Sequence, residues 1–239
     1  MSVDPLDPFP GMEKFYAYRG EPGSEDAPPI FVPVQQGDVF RGVAVPGVEV
    51  PEADGALAMI FMHPCVMRKG AVLADQVTVF RVSLKTKKQR PYERFADTFS
   101  EIPLPELFGE GSGVHVGEFQ IIGTVPGTML NRAERVMSLA KDGRLLLQQR
   151  AVHHFTRHAP PLHDLRVRTR VVERESELLT DWCEAACDSG GETAEVVAKA
   201  ELEFDEYLSS EDRRSRLADD DTTNAVVAET HGEIRRRHT

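Results

Sequence analysis

Two short stretches of this chain carry side chains able to do chemistry. His63-Pro64-Cys65 followed by Arg68-Lys69 places an imidazole, a thiol and two cations within seven residues. A thiolate forms at neutral pH when a cation or a base lies beside it, so the group reads as a nucleophile with its activating partner. The competing reading is structural, with His63 bonding to backbone at a strand end and Cys65 packing as a small apolar residue. The second stretch, Gln148-Gln149-Arg150 with His153, His154 and Arg157, offers amide, guanidinium and imidazole groups over ten residues. These are groups that contact a phosphodiester or move protons on one. His154 and His158 are one helical turn apart, a metal-ligating spacing. A third ligand could come only through folding, from His63, Cys65 or His115, and no zincin glutamate or Cys-x-x-Cys pair accompanies the two histidines, so neither a metal nor a cofactor is expected. Cys183 and Cys187 flank a helical turn beside Trp182 and read as packing residues.

The elements expected to position these groups are short. Apolar, β-rich runs at Ile30–Val34, Val39–Val45, Leu57–Met62 and Gln76–Leu84 are separated by Gly, Pro and Asp, a spacing that suggests a small barrel in preference to a βαβ sheet. Tyr92–Phe99 reads as a helical turn or loop that Pro103 and Pro105 end, and Val114–Thr124 as a strand. Glu134–Leu139 and Arg144–Gln148 read as a hairpin around Lys141-Asp142-Gly143, because Asp-Gly supplies the positive φ of a tight turn. Helices follow. Val152–His158 ends at Ala159-Pro160-Pro161, Leu165–Val172 fits strand or helix, and Glu173–Cys187 stops at Gly190-Gly191. Thr193–Leu208 carries one apolar face, and Thr222 or Thr223 caps a last helix ending in Arg235-Arg236-Arg237. The expected class is α+β: an irregular arm at 1–29, a β-barrel-like body at 30–150 and a helical, acidic part at 151–239.

Composition bounds the function. The 239 residues are 41% apolar, enough for a real core, with no run of eighteen apolar residues and no secretory start, so a cytoplasmic protein without membrane contact is expected. Three cysteines, an odd number, argue against a disulfide framework. The net charge of −11 hides a division. His63 to Arg90 holds seven cations against Asp75 alone, whereas Glu173 to Asp221 holds seventeen acids against five cations. A basic body can attract phosphate despite a negative sum, since screening acts within about 8–10 Å.

Gly37-Asp38-Val39, then the apolar run Ala58–Met62, then Thr78 opening Thr78-Val79-Phe80-Arg81-Val82, resembles the Kid/PemK/MazF-type toxins over roughly residues 36–84. The order also resembles uncharacterised bacterial proteins with a Gly-Asp-Val strand and a His-Pro-Cys loop. The toxin resemblance implies an SH3-like β-barrel, RNA as the partner, a toxin–antitoxin or defence role and metal-independent RNA cleavage. In that reading His63 or His154 is acid or base, Arg68 and Arg150 stabilise the pentacoordinate phosphorus, and Thr78 positions the phosphate. Lys69, Arg81, Lys85, Lys87, Lys88 and Arg157 would contact the nucleic-acid backbone. The chain departs from the family where a catalytic arginine is expected, since Pro46–Ala56 contains no Arg or Lys. The rival expectations are a non-catalytic module binding a protein partner through its acidic helices, and a thiol-dependent enzyme using Cys65.

Overall fold

A computed structural model describes residues 6–49, 55–69, 72–85 and 99–238. The chain divides into two compact units, one formed by 1–28, 34–67 and 74–167, the other by 29–33, 68–73 and 168–239.

The first unit is built on a seven-stranded antiparallel sheet. Its strands are β1 (Tyr16–Arg19), β2 (Val39–Arg41), β3 (Leu57–Ile60), β6 (Gln76–Leu84), β7 (Glu101–Pro105), β8 (Val114–Pro126) and β9 (Arg135–Leu139). They lie in the order β1-β9-β2-β3-β6-β8-β7. The two edges meet, because the Tyr16 hydroxyl of β1 donates to the Pro105 carbonyl of β7 at 2.9 Å and Arg19 donates to the Glu106 carbonyl at 2.5 Å. The sheet is therefore curled like a barrel wall, and burial drives the Tyr16 hydroxyl well above its ordinary pKa. Gly117 permits part of this curl: a Cβ there would lie 2.3 Å from the Phe80 ring, where β6 and β8 shift register. Phe15, Phe80, Phe119, Ile102 and Met137 fill the interior together with Leu146, Leu147 and Ala151 of helix α3 (Lys141–Thr156).

Several expectations change here. The hairpin over 134–148 is not formed, since β9 ends at Leu139 and α3 starts at Lys141. Gly143 serves approach rather than a turn: a Cβ on it would sit 2.3 Å from the Phe15 carbonyl oxygen. The supposed irregular arm contributes helix α1 (Met12–Phe15), strand β1 and the fully buried Phe15. Ile30–Val34 is turn and coil, and β2 stops at Arg41 because Gly42 turns with φ 76°. Pro103 and Pro105 lie inside β7, which tolerates them as an edge strand. Tyr92–Thr98 lies outside the described residues.

The second unit is helical. It contains the Arg168–Gly190 part of α4 (Leu162–Gly190), with α5 (Ala194–Ser209), α6 (Arg213–Ala218) and α7 (Thr223–His238). The ambiguous stretch 165–172 is thus helix. The Thr193 hydroxyl accepts the Val196 N–H and caps α5. Trp182, Cys183, Phe204, Leu208, Leu217 and Val226 form the core, with Phe31 from the 29–33 segment packed on it. The same unit takes in the hairpin of β4 (Arg68–Lys69) and β5 (Val72–Leu73), which leaves the chain just after the His63 loop. Among the described residues no helix is long and apolar enough to cross a membrane.

Candidate functional site

The Gly37-Asp38 motif is structural. The Asp38 carboxylate accepts the Gln35 N–H at 3.0 Å and the Arg135 guanidinium at 2.8 Å, with both side chains of that ion pair essentially inaccessible. Burial lowers the Arg135 pKa, and the charge and hydrogen bond of Asp38 oppose that shift. Gly37 has φ 92°, and a Cβ there would lie 2.5 Å from Leu139 Cδ1. The Gly37 N–H and Asp38 carbonyl also bond the Ile60 backbone, fixing the end of β3. Gln36 extends this frame: its amide donates to the Phe61 carbonyl at 2.7 Å and accepts from Gln148 of α3 at 2.9 Å.

Beyond Phe61 the chain enters the His63 loop. The His63 carbonyl accepts the N–H groups of Val66 and Met67, opening the one-turn helix α2 (Pro64–Met67). Its Nδ1 accepts the Cys65 backbone N–H at 3.4 Å, the contact of a helix cap. Cys65 is exposed. Thr78 stands beside this loop, its N–H on the Met62 sulfur and its carbonyl accepting the Phe61 N–H. His63 and Thr78 therefore share one end of the sheet.

The C-terminal half of α3 reaches the same end. Phe155 is 55% exposed, and its ring lies 5.9 Å from Phe61 and 4.8 Å from His154. His154 also lies 5.6 Å from Phe119, and its Nδ1 is 2.9 Å from the Phe99 carbonyl. A carbonyl only accepts, so Nδ1 carries the hydrogen and, in the neutral ring, Nε2 keeps the lone pair. His153 turns inward. It is 2% exposed, its ring 4.2 Å from Phe99. Burial, then the nearby Arg157, His154 and His158, hold its pKa below the ordinary histidine value.

Other expected residues fall elsewhere. Arg150 is 1% exposed and points its guanidinium at the Glu101 carbonyl, 3.4 Å away. Burial lowers its pKa to about 10, and a phosphate arriving from solvent has no approach to it, so its role at phosphorus is withdrawn. Arg68 pairs with Glu201 of α5 at 3.1 Å inside the helical unit. Arg81 is held by Glu118 at 2.6 Å, and Lys85 by Glu101 at 2.5 Å. Burial raises the Glu118 pKa, but the Arg81 hydrogen bond and charge outweigh it and leave the carboxyl below its usual range. Lys69 is described only by its backbone pairing with Val72, and Lys87 and Lys88 lie outside the described residues. Arg157 is exposed and ends α3 in the left-handed conformation, φ 62°, so His158 leaves the helix and the expected His154/His158 turn is not made.

The groups that join α3 to the β3 end, Phe61, Phe155, Phe99 and Gln36, were not singled out from the sequence. Their signal was weak, since aromatic residues read as core. No known family model matches the chain, and no curated protein matches it.

Proposed function

We propose that this chain binds single-stranded RNA on an SH3-like, PemK-type barrel, with Phe155, His154, Phe61 and Arg157 forming the contact face. The observation that carries the reading is the half-exposed Phe155 ring set against Phe61 and against an imidazole of fixed tautomer. Aromatic faces accept any base by stacking, the mode single-strand binders use, and Arg157, two residues further along the chain, is an exposed cation. In the neutral ring His154 Nε2 keeps a lone pair that can take a proton, and Thr78 and His63 lie at the same end of the sheet. A ribose 2′-hydroxyl placed there would have a general base, which makes metal-independent cleavage the accompanying activity. The toxin or defence setting rests on the resemblance over 36–84.

The test is fluorescence anisotropy of the full chain with a labelled single-stranded RNA. Phe155→Ala should weaken binding by about 5- to 100-fold, the worth of one stacked base. His154→Ala should remove any cleavage. Binding unchanged by Phe155→Ala would sink the reading.

A second reading, a non-catalytic module for a protein partner, is favoured by one observation: Arg68, Arg81 and Lys85 are each paired with a carboxylate. Their attraction for phosphate is largely cancelled. A stoichiometric, nuclease-resistant partner together with no RNA binding would select it.

A further inference from the structure

We infer that His153 is a positioning residue for its neighbour: packed as a neutral ring on Phe99, it holds the carbonyl that fixes His154, and acid releases both together. The inference rests on the proposed role of His154 at the contact face. Phe99 is gripped twice by consecutive residues of α3, its ring by His153 at 4.2 Å with a 32° tilt and its carbonyl by His154 Nδ1 at 2.9 Å. Both grips fall on the one residue, and in this reading Phe99 couples them.

His153 is an unusual choice for the ring contact. It is buried, and among the described residues neither ring nitrogen has a hydrogen-bond partner. As a neutral imidazole it fills the slot as an apolar ring would. As an imidazolium it would bury a charge with no acceptor, far more unfavourable than burying the neutral form. Among the described residues, the charged and titratable groups that act on it are Arg157, His154 and His158, from its own helix and the turn that follows, and none offers compensation. From the opposite side it meets Phe99, whose ring carries no charge.

The direction follows. The closed arrangement disfavours the protonated ring, so the opened one binds the proton more tightly. Above the ordinary histidine value of about 6.5 both forms are neutral and the clamp keeps its full stability. As pH falls below that value the opened form gains, and the loss is complete once pH passes below the depressed value of the closed state. His154 alone would not behave this way, because an imidazolium still donates from Nδ1 to the Phe99 carbonyl.

The experiment is a pH titration of the imidazole nitrogens by NMR in the full chain labelled with 15N-histidine, needing no RNA. At pH 7.5 His154 should show a protected Nδ1–H, and in the wild type that protection should vanish as His153 protonates. In His153→Phe, which keeps a ring against Phe99 but cannot titrate, the protected Nδ1–H should survive across the pH range in which the wild type loses it. His153→Leu, smaller and equally unable to titrate, is read alongside and should also remove the acid loss. The expected separation is at least tenfold slower exchange in these variants at the wild-type midpoint. Loss at the same pH in wild type and both variants, or protection in the wild type that outlasts protonation of His153, would overturn the inference. Failure here leaves RNA binding standing, and RNA binding that ignores Phe155 leaves the titration result standing.

Discussion

At the scale of single residues, the side chains with the most reactive types are not the ones with the most defined environments. Cys65 is exposed on a one-turn helix, and the described His63 contact reaches its backbone N–H. That arrangement orders a loop without requiring thiol chemistry. Asp38 is the opposite case, a carboxylate closed in with Arg135 at 2.8 Å and anchoring the Gln35 N–H. Removing one partner of a buried pair leaves an uncompensated charge, so Asp38→Ala should destabilise the fold by about 3–5 kcal/mol. Urea denaturation measures this, and a loss under 1 kcal/mol would refute the role given to the pair. Replacing both Asp38 and Arg135 by apolar residues should be milder than the single change, because no charge is then left buried.

At the scale of elements, α3 organises the barrel unit: it fills the interior with Leu146, Leu147 and Ala151 and delivers His153, His154 and Phe155 to the sheet end. Its start depends on Gly143, where a Cβ would press on the Phe15 carbonyl at 2.3 Å, a rigid neighbour. Gly143→Ala, which would help an exposed helix, should here lower stability by about 1–3 kcal/mol, the range of overpacked sites. A thermal melt checks the sign, and a stabilised variant would contradict the packing. The same element shows what the sequence could convey. The strands at 76–84 and 114–124 were legible because each carries the β-rich run and turn flanks of a sheet element. Helix α3 was not. It is buried nearly all round from Leu145 to Ala151, so no one-sided apolar stripe distinguishes it from a strand, and Asp142-Gly143 mimics a hairpin turn. The site suffered the same limit: His154 was visible as a residue type, whereas its tautomer depends on the carbonyl of Phe99, fifty-five positions away.

At the scale of the molecule, the two units do not follow the division of charge along the chain. Arg68 lies in the expected basic stretch and Glu201 in the acidic third, yet they form an ion pair within the helical unit, where their side chains are 11% and 7% exposed. Phe31 joins the core of that unit and the Ile30 N–H donates to Glu192, both from a segment that precedes the sheet's second strand. The helices are therefore completed by two insertions, 29–33 and 68–73, that interrupt the barrel unit in sequence. A fragment of 168–239 lacks Phe31 and Arg68, exposing part of its apolar core and leaving Glu201 without that cation. Such a fragment should unfold with reduced cooperativity and a lower urea midpoint than the helical transition of the full chain. In the full chain Arg68→Ala should reproduce about 3 kcal/mol of that loss, as breaking a largely buried pair does. Far-UV circular dichroism follows both, and a fragment that melts as cooperatively as the intact protein would show that the helices form a unit without help from the barrel's insertions.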